Sequence, residues 1–226
     1  MPPQISETRI ANMALSHVGT KSHIESLSEA SPEAKECSLW YDFSRLQILA
    51  AYDWSFARLR TQLALHSDTI PTTSNTPLAG VWGFRYQYPA NCLAVRKIQN
   101  PNAPPDDALP FEIELSLDGH EKTILTNEED AVCVYTFDQK SVNLYSGAFV
   151  STFSHLLAAH IAYALTGKNT IVQRELQIYS NLLIGAGSID ANEGVSPPPR
   201  DTDWIRARGT IGSETNKRGE ISGGVS

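Results

Sequence analysis

A run of short alternating segments held between two stretches of helical periodicity is what most constrains this chain. On the N-terminal side Ser6 stands where an N-cap is expected, Ile5 and Ile10 occupy the two staple positions, and Gly19 marks a stop. Ile10, Ala14 and Val18 share one face of that helix, with Ala11 and Leu15 beside them. After a polar connection, Ser31-Pro32-Glu33 supplies a cap, a proline at the first helical position and an acid in the first turn. The second helix is predicted to reach about Tyr52, with Cys37, Trp40, Tyr41, Ser44, Ile48 and Ala51 broadly on one side.

Beyond Leu63 the period changes to two. VWGFRYQYP places aromatics at 82, 84, 86 and 88, and CLAVRKI, FEIELSL, KTILT and AVCVYTF follow, with Asp118-Gly119 as a hairpin turn. So little chain separates these strands that four or five of them must be mostly antiparallel. Helical texture returns in FVSTFSHLLAAHIAYALTG, which ends at Gly167, and in TIVQRELQIYSNLLIGAGSIDANEG, patterned by Ile171, Leu176, Tyr179, Leu183 and Ile184. The expected fold class is therefore α+β: a four-helix bundle (1–60 and 148–194) with an inserted, mostly antiparallel β module (61–147). SPPPR breaks any further helix, and residues 195–226, rich in Gly, Ser and charge, are expected to form a flexible C-terminal extension.

Charge separates the parts. The chain has 226 residues and a formal net charge of −7, and residues 61–147 hold five Lys/Arg against eleven Asp/Glu. An acidic chain argues against a protein that grips nucleic acid through phosphates. Cys37, Cys92 and Cys133 are isolated, odd in number and without a CxxC pair, which fits buried thiols in a reducing compartment. The N-terminus lacks a signal pattern, and LLAAHIAYAL is read as too short to span a bilayer.

No catalytic, cofactor-binding or metal site is expected. His155 and His160 are five apart without an HExxH, and His17 and His23 have no acid or cysteine at ligand spacing. No phosphate-binding loop and no GxSxG elbow occurs. Glu128-Glu129-Asp130 reads as a solvated loop before a strand, and the aromatics at 82–88 read as sheet packing rather than a base-stacking platform.

YDWSFARLR (52–60) remains, three aromatics and two arginines at the end of the second helix. It is read as a structural corner that sets the β module's angle on the helices. Tyr52 and Phe56 share a face if the helix continues, and Arg58 and Arg60 would then stand at its C-terminal end, where positive charge is favoured.

Three ordered blocks carry a family resemblance. They are Cys37, Tyr41 and Asp42 leading to Trp54-Ser55-Phe56-Ala57-Arg58; Tyr86-Gln87-Tyr88-Pro89-Ala90-Asn91-Cys92-Leu93-Ala94-Val95; and LLAAHIAYALTG with its ensuing Ile-Tyr. In this order they resemble the tail tubular protein A family, the head-to-tail adaptors of short-tailed bacteriophages, over about residues 5–194. The family's usual Leu-Pro-Ala-Asp is here Tyr88-Pro89-Ala90-Asn91, so any ion pair of that acid is missing. The resemblance implies a non-enzymatic virion protein of the neck, without cofactors, assembled in the host cytoplasm. Its partners would be the portal protein, the tail nozzle protein, itself in a ring of twelve copies, and double-stranded DNA passing without sequence-specific binding; no membrane is implied. Tyr52, Trp54, Phe56, Ala57, Arg58 and Pro89 would form the structural junction, and Trp204, Ile205, Arg206 and Arg208 a portal-binding patch. The competing classes are a small cytoplasmic hydrolase with a cryptic Cys/His site and a non-viral helical binding module.

Overall fold

Local capping sets the helix ends. In the computed structural model, which describes residues 5–67, 82–102 and 108–192 (side chains of 188–192 excepted), helix α1 runs Glu7–Val18. Ser6 Oγ accepts from Arg9 N at 3.2 Å, and Gly19 ends the helix at φ 86°, a left-handed backbone that glycine adopts without strain. Helix α2 (Pro32–Ala51) starts on Ser31, whose hydroxyl accepts from Ala34 N. Helix α3 (Gly147–Thr166) starts on Ser146 and ends at Gly167, again left-handed, and helix α4 covers Asn169–Asn192.

Between α2 and α3 lie six strands, β1 (Arg58–Gln62), β2 (Phe84–Gln87), β3 (Cys92–Gln99), β4 (Phe111–Leu115), β5 (Lys122–Thr126) and β6 (Val132–Phe137). They form two three-stranded antiparallel sheets, ordered β1-β6-β3 and β2-β5-β4. The sequence reading expected one run of four or five strands. It missed β1, because RLRTQ follows a helix with no glycine or proline to announce the change. Pairing with β6, over seventy residues away, decides that segment's state.

α3 is the central helix and packs against each of the other three. At 20 residues with a mean hydropathy of 1.4 it is long and apolar enough to cross a bilayer, a wider apolar stretch than the ten residues read from the sequence. Here its apolar surface is covered by protein: Phe149, Phe153, Leu157 and Ile161 are fully buried against Ile10, Leu15, Ile48 and Trp54. Two sequence assignments of facing fail. Ala51 is exposed, and on α4 Leu176 and Ile184 face solvent while Val172, Tyr179 and Leu183 pack on the core. A second, smaller core lies among the strands, built on Leu63, Tyr86, Ile98, Ile124, Cys133 and Tyr135.

Candidate functional site: an aromatic junction and its clamps

The segment 52–58 is where the helices hand the chain to the sheets. Tyr52 takes an extended backbone (φ −138°, ψ 157°), so α2 stops at Ala51. Ser55–Ala57 forms one 3-10 turn, and Arg58 opens β1. Arg58 and Arg60 are therefore strand residues and do not stand at a helix C-terminus. Arg58 instead pairs with Asp53, Nη2 to Oδ2 at 3.0 Å, on a half-exposed surface, and Arg60 is exposed.

The physical demand behind that expectation is real and is met by other residues. A helix leaves its last four carbonyls without intrahelical partners. Trp54, fully buried, donates its indole Nε1–H to Ile48 O at 2.9 Å. Arg96 reaches across from β3, and its Nη2 donates to Leu49 O (3.2 Å), Ala50 O (3.0 Å) and Tyr52 O (2.6 Å). Its Nε donates to Thr136 Oγ1 on β6 at 2.8 Å. One guanidinium thus supplies both the hydrogen bonds and the positive charge favoured at a helix end, and fastens α2 to the first sheet.

Around Trp54 the aromatics interlock. The Trp54 and Phe149 rings meet edge to face with centroids 5.1 Å apart, and Phe56 packs on Phe149 at 5.0 Å and on Tyr145 at 5.5 Å. Ala57 is buried beside them. The helix does not continue from Tyr52 to Phe56, yet both rings lie against Trp54. Tyr52 also fastens α4: its hydroxyl donates to Gly187 O at 2.7 Å. A β-carbon at Gly187 would stand 2.6 Å from Tyr52 Cε2, so this close approach requires glycine. Pro89 lies elsewhere, in the β2–β3 turn, where it lines a surface recess with Tyr88, Asn91, Cys92 and Lys122.

A second clamp was not foreseen. Arg45 is buried, and its Nη1 donates to Asp138 Oδ1 (2.5 Å) and Gln139 O (3.0 Å), while Nε donates to Asp42 Oδ1 (3.1 Å). It ties α2 to the chain leaving β6. A signal was present, since Arg45 falls in the apolar stripe between Tyr41 and Ile48.

The third cluster joins α1, α3 and α4. His17 and His155 stack with centroids 3.9 Å apart, and His155 Nδ1 lies 2.6 Å from Oε2 of the buried Glu175. Arg174 bonds Glu175 Oε1 at 2.8 Å through Nε and His17 O at 2.6 Å through Nη2. The Ser154 hydroxyl already donates to Ser151 O, so at 3.2 Å it accepts from His17 Nε2–H, which assigns that neutral tautomer. Burial, then the charge of His155, holds His17 below its ordinary value of 6.5, with Glu175 opposing and Arg174 adding to the effect. The sequence clue was an acid in register with Val172 and Tyr179 on the buried face of α4.

These groups are arranged for fastening. Ser154 is fully buried and bonds a different histidine from the one that meets the carboxylate, so the set forms no nucleophile–base–acid relay. Burial pushes the Cys37 thiol up to about 11 and that of Cys133 up to about 12, and raises Cys92 as well, the direction opposite to an activated nucleophile. Among the described residues no three His, Cys, Asp or Glu side chains come together in a group that could hold a metal ion. Trp204, Ile205, Arg206 and Arg208 lie outside the described residues. No protein-family model matches the chain, and no curated protein matches it.

Proposed function

We propose that this chain is a structural subunit, a head-to-tail adaptor of a tailed bacteriophage that assembles as a ring between portal and tail nozzle and lengthens the DNA channel. In this reading the four helices act as one bundle, the sheets are presented at a set angle to it, and no chemistry is performed. The observation that carries it is the content of the resembling blocks. Trp54, Phe56 and Ala57 are packing residues of a junction, and α3 is the helix against which the others rest. A net charge of −7 suits a conduit through which DNA slides without being held.

The partners are then the portal protein, the nozzle protein and further copies of the same chain, twelve on the assembled particle. The segment 195–226 supplies a portal contact through Trp204 and Ile205, with Arg206 and Arg208 facing acidic groups of the portal. The test mixes purified full-length chain with portal rings and images the product. Added density on one end of the ring, extending the channel, is the expected result. Portal rings that stay bare under a large excess of the chain overturn the reading. Portal binding unchanged after deletion of residues 196–226 removes the role given to that segment.

A further inference from the structure

Among the described residues each sheet ends in a strand that pairs on one side only. Among them β1 is bonded to β6 alone, and β4 to β5 alone. Such edges offer unsatisfied backbone donors and acceptors to another strand. The two edges also carry matching patterns of opposite charge. β1 reads Arg58, Leu59, Arg60, Thr61, and β4 reads Phe111, Glu112, Ile113, Glu114, Leu115.

Register shows which face each residue takes. Leu59 stands opposite Tyr135 and Ile113 opposite Ile124, and both partners belong to the core among the strands. The apolar residues of both edges thus lie on the core side, and the charged residues lie on the other. Leu59, Ile113 and Leu115 nevertheless overhang that core, at 45%, 43% and 58% exposed.

We propose that β1 of one copy pairs with β4 of a second copy, joining two three-stranded sheets into one of six strands. With Leu59 opposite Ile113 in an antiparallel register, Arg58 meets Glu114 and Arg60 meets Glu112. The apolar faces then run on from sheet to sheet, and each cation stands across from an acid. Pairing β1 with β1 would oppose arginines, and β4 with β4 glutamates, so charge selects the head-to-tail arrangement. These groups also have partners within their own chain. Arg58 pairs with Asp53, Glu112 Oε2 accepts from Trp82 Nε1 at 3.0 Å, and Glu114 lies 4.0 Å from Arg85. A contact between two different patches repeats from copy to copy and either closes into a ring or runs on as a filament. Closure into a ring rests on the adaptor reading; the pairing of two copies does not.

Sedimentation velocity on the full chain, over a concentration series at low ionic strength, tests the pairing. The wild-type chain associates, and less so as salt is added. Arg60→Glu and Glu112→Arg each lower the association constant about tenfold or more. An equal mixture of these two variants restores association, because the reversed edge of one meets the reversed edge of the other. Circular dichroism of each variant confirms that it is folded. A wild-type chain that stays monomeric throughout, reversal variants that associate like the wild type, or a mixture no better than its components overturns the pairing. None of these outcomes bears on whether portal rings capture the chain.

Discussion

The helical core and the strand core are built by opposite means. Among the helices, buried aromatics and aliphatics close on α3 from three sides, and the buried Arg45, Trp54 and Glu175 each have partners at the clamps, while the buried Tyr41 hydroxyl has none among the described residues. Among the strands the core is small, backbone ladders do most of the ordering, and apolar side chains remain at the edges. Both parts expose apolar side chains, Leu39, Phe43 and Ile184 on the helices among them, so the difference lies in the backbone: among the described residues β1 and β4 each pair with one strand. In the proposed pairing it is the sheet edges that make the contact between copies.

The severest test of that contrast is Trp54→Ala. It empties a fully buried site and orphans Ile48 O, and is expected to cost about 3–5 kcal/mol, read as a lower midpoint in urea unfolding. A loss below about 1 kcal/mol would mean that the helical core is less tightly built than its burial implies.

Arg96→Met keeps the side-chain stem but removes the cap on α2. The expected loss is about 1–2 kcal/mol, with faster hydrogen exchange at the end of α2 while β4 and β5 are unaffected. Exchange that accelerates equally in both sheets would break the distinction between junction and edge.

Mild acidity probes the helical side. His17 and His160 both bind protons less readily than an ordinary histidine, chiefly through burial. The unfolded chain therefore takes up these protons first as pH falls, so stability is full above about pH 6.5 and declines below it. His17→Gln should flatten that decline in urea midpoints compared between roughly pH 7.5 and 5.5. A slope unchanged by the substitution would assign the decline to other groups.

The smallest effect belongs to the sheet edges. Leu59→Thr and Ile113→Thr should each change monomer stability by less than about 1 kcal/mol, since both residues only overhang the core and are nearly half exposed. A large loss at either would show that the edge is part of the monomer's own packing.

What was legible in the sequence was mostly local. Ser6, Ser31, Gly19, Gly167 and the Asp118-Gly119 turn act on neighbours a few residues away, and each performs the expected role. The features that escaped depend on distant chain. Arg45 and Asp138 are 93 residues apart, and Arg174 and His17 are 157 apart. RLRTQ has no intrinsic property that excludes helix, so its state waits on β6. The cap on α2 was anticipated in kind and misassigned in residue. The need for positive charge belongs to the helix, whereas the identity of the donor belongs to the tertiary fold.

The helical core has a consequence for the order of events at the ribosome. Its two halves, α1–α2 and α3–α4, are separated in synthesis by the whole β segment, and Tyr52 meets Gly187 across 135 residues. The N-terminal helices therefore emerge before Tyr145 and Phe149, the later residues whose rings pack on Phe56 and, for Phe149, on Trp54. Contacts this far apart make for slow closure and a period of exposed apolar surface. During that interval the nascent chain presents to chaperones the same aromatic corner that later locks the finished molecule.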